Sequence, residues 1–162
     1  DVALSYKPLE SYEDIDSHIL FNSKLCVIAG KDNPVAKMKK IRLAELEKLP
    51  LALPAKGLQA RNAFDSLLYG QNFKYDVRLE INDLNVLLDM VSRTNLVTLL
   101  SEATVRGNKY FVAIELDHPH SEMEGSFHIL KGSYCKNATK EFLKFLIENN
   151  SFTMAMDAIA NR

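Results

Sequence analysis

The sequence predicts an α/β fold, and three observations carry that prediction. Short apolar runs recur at 2–6, 25–29, 51–53, 77–81, 96–100, 111–116 and 127–130, each of strand length. Segments with apolar residues at helical spacing separate several of them. Across 25–100 the two kinds alternate as strand, helix, strand, helix, strand, helix, strand. That order predicts βαβ units and a largely parallel sheet.

Each element has its own reason. The chain opens directly on "DVALSY", a strand with no lead-in and no initiator Met, and so reads as the continuation of something longer. "LCVIAG" is the next apolar run, and Cys26 within it is expected in the core, where free cysteines are common. Ile41, Leu43, Leu46 and Leu49 make an apolar face that predicts a helix over 41–49, halted by Pro50. A short buried strand, 51–53, then runs into Pro54-Ala55-Lys56-Gly57. Ala60, Ala63, Phe64, Leu67 and Leu68 predict a second helix, with Gly70 as its stop. Leu84, Leu87, Leu88 and Val91 predict a third, with Asn82 as its N-cap and Asp83 complementing the helix dipole. Ala138, Phe142, Phe145 and Leu146 begin a C-terminal helical tract that Met154, Met156 and Ile159 extend. Residues 1–20 and 109–162 do not fit inside the unit spanning 25–100 and read as parts of a second subdomain.

Composition narrows the function classes. The 162 residues are 47% hydrophobic and 25% charged, ordinary for a globular protein, and the formal net charge is -1. Lys and Arg form no block, so the chain is a poor candidate for touching DNA by itself. No apolar run approaches the roughly 18 residues that cross a bilayer, and no signal-peptide pattern is present. No HExxH, GxSxG or P-loop occurs, and the carboxylates all fit solvent-facing helix positions, so no acid/base pair stands out. His118, His120 and Glu122 are metal-binding residue types, but their spacing around Pro119 reads better as a solvated hairpin loop. Cys135 lies near Lys131 and Lys136, which favour a thiolate, yet an unpaired cytosolic thiol is the plainer reading than a redox switch.

The order of these segments resembles the effector-binding domain of LysR-type transcriptional regulators. "DVALSY" is similar to the segment that ends the first half-subdomain of that family. "LCVIAGKDNPVAKMKKIRLAELEKLPLAL" resembles its next stretch, a strand, a polar "NP" turn, an "L-x-E-L" and a short apolar strand. "EINDLNVLLDMVSRTNLVTLLSEATV" resembles the helix and strand that follow, and the likeness runs from residue 1 to about 147. Two departures stand out. "SRTN" replaces the glycines the family often has before the strand at 96–100, where Asn95 can take a left-handed cap conformation. Ser101 stands where a Pro is common.

The resemblance implies a type 2 periplasmic-binding-protein-like fold, two α/β subdomains joined by strands crossing at about 20–28 and 108–116. Residues 1–22 and 112–162 would form parts of regulatory subdomain I, incomplete in this chain, and 23–111 subdomain II. It further implies a small-molecule effector in the cleft, a homodimer or homotetramer, a cytoplasmic location, and promoter DNA bound only through a winged helix-turn-helix outside this chain. No catalysis, cofactor or metal is implied. A solute-binding protein of a transporter shares the fold and is the alternative; an enzyme on a similar scaffold is a third class. The residues preceding Asp1 separate them: a helix-turn-helix for the regulator, a secretory signal for the transporter component.

Ligands of such folds bind beyond the carboxyl ends of the strands, here "LPAKGLQ", "INDLN" and "LLSEAT". Taken alone, Lys56 and Arg61 read as solvated basic side chains on a turn. With the resemblance, Lys56, Gly57 and Gln59 at a helix N-terminus become an anion site, and Arg61 a weaker member of it. Asn82, besides capping, would face the cleft; Thr98 and Ser101 would offer hydroxyls, although Ser101 also suits capping "EATV". Ser5 and Tyr6 are the candidates from the other subdomain, with Tyr6 equally suited to the core.

Overall fold

The apolar runs become strands in the computed structural model, which describes residues 2–6, 12–132 and 136–149. The first elements are β1 (Val2–Tyr6), β2 (Ile15–Gly30), a 3-10 turn (Pro34–Lys37), β3 (Lys40–Ile41), α1 (Leu43–Leu46) and β4 (Pro50–Pro54). There follow α2 (Gln59–Leu67), β5 (Asp76–Ile81), α3 (Leu84–Arg93), β6 (Thr98–Ser101) and a second 3-10 turn (Glu102–Thr104). The last are β7 (Phe111–Leu116), β8 (Glu122–Leu130) and α4 (Asn137–Asn149). Cys135, Met154, Met156 and Ile159 lie outside the described residues.

The chain divides into two compact units, Asp1–Ser23 with Met123–Arg162, and Lys24–Glu122. In the first, β1 runs antiparallel to β8, with Val2 opposite Ile129 and Tyr6 opposite Gly125. The helix α4 contributes Leu143 and Leu146 to a core with Phe127, against which Val2, Leu20 and Ile129 pack. The His18 ring stacks on Phe127 at 4.7 Å between centroids.

In the second unit the later half of β2 is central, antiparallel to β6 on one side and to β7 on the other. Alternate residues of this half face opposite sides, and Leu25, Val27 and Ile28 are all buried to within 1% exposure. Burial of both faces explains why "LCVIAG" is apolar without alternation. β3 adds to β7 in parallel, and β4 pairs with β5 in parallel. A parallel bridge from Leu51 to Val97, with Ala52 N–H donating to Val97 O at 2.9 Å, places β4 beside the segment leading into β6. One core cluster joins Cys26, Ile28, Ala52, Leu96 and Leu100 to Leu87 and Leu88 of α3.

Several expectations are corrected. The sheet is mixed rather than largely parallel, because β2 meets both β6 and β7 head to tail. The helix expected over 41–49 shortens to Leu43–Leu46, since Ile41 is drawn into β3 beside Leu116. α3 ends with Thr94 in extended conformation, its hydroxyl donating to Met90 O at 2.7 Å and accepting from Leu96 N–H at 3.1 Å. Clustered by contacts, residues 112–122 fall with the second unit, Lys24–Glu122. β7 and β8 flank β2 instead of pairing with each other, so "DHPHSE" is not a hairpin loop.

Candidate functional site

At the carboxyl end of β4 the chain must turn, because Pro54 carries no N–H to extend the ladder. Pro54 lies opposite Ile81 at the end of β5, and Ala55 N–H donates to Ile81 O at 2.9 Å. Leu58 N–H then closes a turn onto Ala55 O at 3.2 Å. Gly57 within it has φ 92, a left-handed conformation that side chains rarely adopt, and open space where a Cβ would stand. The requirement at Gly57 is therefore backbone conformation, with no crowding. Asn62 N–H donates to Leu58 O at 2.9 Å and begins α2.

The α2 N-terminus is bare in two senses. Its N-cap is Leu58, which offers no side-chain cap, and its first turn carries no acidic residue. A helix start leaves N–H groups without intrahelical acceptors and a partial positive charge. Lys56, Gly57 and Gln59 are all exposed beside it, and Lys56 makes no ion pair among the described residues.

Arg61 behaves differently from a rim cation. It is 7% exposed, and its guanidinium donates to Asp65 Oδ1 at 2.9 Å, Glu80 Oε1 at 3.1 Å and Pro54 O at 3.1 Å. Burial opposes its charge, but the hydrogen bonds to Asp65 and Glu80 more than offset this and hold its pKa above the ordinary value. These bonds commit Arg61 to holding α2, β4 and β5 together. Glu80, its partner across the elements, was not apparent in the sequence.

The other predicted residues divide. Asn82 is exposed at the end of β5, but the N-cap of α3 is Asp83, whose side chain accepts from Val86 N–H at 3.0 Å. Ser101 ends β6, is 1% exposed, and stands at the N-cap of the second 3-10 turn without a side-chain capping bond. Since Val97 is level with Leu51, Ser101 is level with the Lys56 turn. The carboxyl ends of β4, β5 and β6 thus bring Lys56, Gly57, Gln59, Asn82 and Ser101 to one end of this unit. Thr98 opens β6, three residues and roughly 10 Å back along the strand. It is fully buried opposite Ile28, with no hydrogen-bond partner for its hydroxyl.

Ser5 and Tyr6 lie in the other unit. Ser5 Oγ donates to Tyr6 O at 3.0 Å and lies 2.9 Å from His128 Nε2, while Ser17 Oγ lies 2.8 Å from His128 Nδ1. The two serine hydroxyls thus bracket the His128 ring, one at each nitrogen, with donor and acceptor roles set by its tautomer. The Tyr6 ring is half-buried and meets Phe21 edge-on at 5.9 Å, a packing contact. His128 and Ser17 were missed in the sequence because only strand pairing brings them to Ser5.

Among the described residues no three His, Cys, Asp or Glu side chains gather to hold a metal ion. His118 Nδ1 instead accepts from His120 N–H at 3.2 Å. Cys26 is buried, and its thiol is pushed up to about 11 by burial and then by the Glu102 and Glu115 carboxylates, which keeps it protonated. Among the described residues no helix is long and apolar enough to cross a membrane.

Comparison with known proteins adds three findings. The family model described as LysR substrate binding domain matches residues 1–151. The transcriptional dual regulator GltC of Bacillus subtilis (strain 168) is 25% identical over 150 residues, which cover 91% of this chain and 50% of GltC. The chain thus spans about half the length of that curated relative. Among solved structures, the Synechocystis PCC6803 CcmR regulatory domain in complex with 2-PG superimposes with a TM-score of 0.80 at 21% identity. That match covers 93% of this chain and 73% of the other. The effector binding domain of QuiR in complex with shikimate gives a TM-score of 0.76 at 18% identity, covering 93% and 72%.

Proposed function

Starting from the fact that this chain belongs to the LysR substrate-binding-domain family, we propose that its effector is a small organic anion held at the Lys56 turn. One observation carries the reading: an α2 N-terminus with neither a capping side chain nor an acidic first-turn residue stands beside the exposed Lys56 on a Gly57 turn. A carboxylate there would meet helix N–H groups, the Gln59 amide and the Lys56 ammonium together. Asn82 and Ser101 would supply further polar contacts from β5 and β6. The deep burial of Thr98 makes it the weakest member of the set.

The whole protein would be a cytoplasmic homo-oligomeric regulator that reaches promoter DNA through a separate domain. Ligand binding would shift the populations of two arrangements and so inform that domain. The alternative of a transporter component has less support, since the relatives and neighbours named are regulators. Thermal-shift screening of small organic acids against the complete effector-binding domain tests the site, because a ligand of the native state raises its stability. A stabilising acid should be found, and Lys56→Ala should weaken it about tenfold to a hundredfold while leaving the unliganded melting temperature nearly unchanged. An uncharged effector, or unaltered affinity in Lys56→Ala, returns Lys56 to the role of a solvated turn residue.

A further inference from the structure

We infer that Arg61 is the positioning residue of the Lys56 turn, fixing the place at which the strand β4 ends and α2 begins. The inference rests on the anion-site reading only for what the turn serves. Its basis is the set of acceptors around one buried guanidinium. Pro54 O is the last carbonyl of β4, two residues before Lys56; Glu80 is on β5, in register with Leu53; Asp65 is one turn further along α2. Three elements therefore converge on one side chain.

The choice of arginine has a physical reason. Its planar guanidinium presents five donors in fixed directions, so it can meet a carbonyl and two carboxylates at once. A lysine ammonium is a point charge on a flexible stem and cannot hold the same three directions. Arg61 also has an electrostatic consequence. Asp65 and Glu80 are half-exposed carboxylates of the same unit as Lys56, and the guanidinium occupies one oxygen of each. Their charge is thereby bound to Arg61 and less available to oppose an anion at the rim. Lys56 and Arg61 thus divide the work: the exposed cation meets the ligand, and the buried one holds the turn and the neighbouring acids.

Amide hydrogen exchange in the complete effector-binding domain tests this directly. The reporters are the turn amides with identified acceptors, Ala55, Leu58 and Asn62, and the controls are Ala52 and Val97 in the adjoining sheet. Arg61→Gln should speed exchange of the three turn amides at least about tenfold, with the controls unchanged, because opening becomes local. Arg61→Lys should fall between it and the unaltered protein. Unchanged turn amides, or an equal rise at turn and controls, overturns the positioning role. Should Arg61→Gln fail to fold, Glu80→Gln decides: a rise confined to the turn supports the inference, and none overturns it. Sodium sulfate, followed by shifts of the Gly57 and Gln59 amide signals, separates the two proposals. Sulfate that leaves those signals unmoved in the unaltered protein counts against the anion reading, while the exchange data still decide the role of Arg61.

Discussion

Gly125 pairs with Tyr6 across β1 and β8, and the ring of Phe21 occupies the position its Cβ would take. A methyl there cannot be absorbed by a flexible side-chain end, since the obstacle is a rigid ring. Gly125→Ala should destabilise the complete domain by about 1–3 kcal/mol, as overpacking does. Phe21→Leu should recover part of that loss when combined with it, measured by denaturant midpoints in a double-mutant cycle. Cys26 offers a second residue-scale test. Its folded pKa is raised, from 9.0 to about 11, so the unfolded chain gives up the proton first. The associated stability is fully present below pH 9 and is lost as pH rises through 11, on the order of 3 kcal/mol. Cys26→Ala should be less stable throughout yet lack that part of the alkaline slope in urea titrations from pH 8 to 11. Residue roles were legible where they are local. Gly57 and Pro54 announce a turn by their own backbone chemistry, and the apolar company of Cys26 announces its burial. Arg61 was not, because its reading depends on Glu80, which lies nineteen positions away and meets it only through β4–β5 pairing.

Elements were legible by period, and their ends were not always so. The four helical patterns became α1, α2, α3 and α4, the first of them shortened, and each predicted strand has its counterpart. The cap of α3 shows where pattern reading loses resolution. Asn82 and Asp83 are adjacent and both suit an N-cap, and only the backbone turn after Ile81 decides between them. Asp83→Ala should cost about 0.5–2 kcal/mol of stability by removing the bond to Val86 N–H, whereas Asn82→Ala should cost only a few tenths. Thermal melts of the two variants check this, and equal losses would return the capping role to Asn82. β2 shows the opposite limit. Its first half alternates weakly and matches no predicted strand, yet it is continuous strand from Ile15, sustained by pairing that sequence spacing does not reveal.

At the scale of the whole molecule, the alternating order of elements conveyed the α/β class, but the place where the chain changes unit was hidden. Residues 111–116 and 127–130 are both apolar runs, and membership is decided by which half of β2 each can reach, a contact between distant positions. Charge is a molecular property that can be read further. The net value is -1, and several of the described cations are paired with acids. Lys24 and Lys40 share Glu115; Arg42 meets Glu45, Arg78 meets Asp76, and Arg93 meets Asp89. Duplex binding without sequence preference requires several cations aligned along phosphates, with affinity falling steeply as salt displaces them. Each of these pairs places a carboxylate beside the cation, which opposes an approaching phosphate. Lys31 and Lys109 stand about the ring of Tyr110, at 5.8 and 5.2 Å, a pair that amounts to two charges. Two phosphate contacts give a shallow salt slope and weak affinity. This chain alone should therefore produce no mobility shift of a duplex at physiological salt, and at most a faint one at low salt that Lys31→Gln with Lys109→Gln removes. A firm shift at physiological salt, insensitive to that pair of substitutions, would require a basic surface elsewhere and would show that DNA contact is not confined to a separate domain.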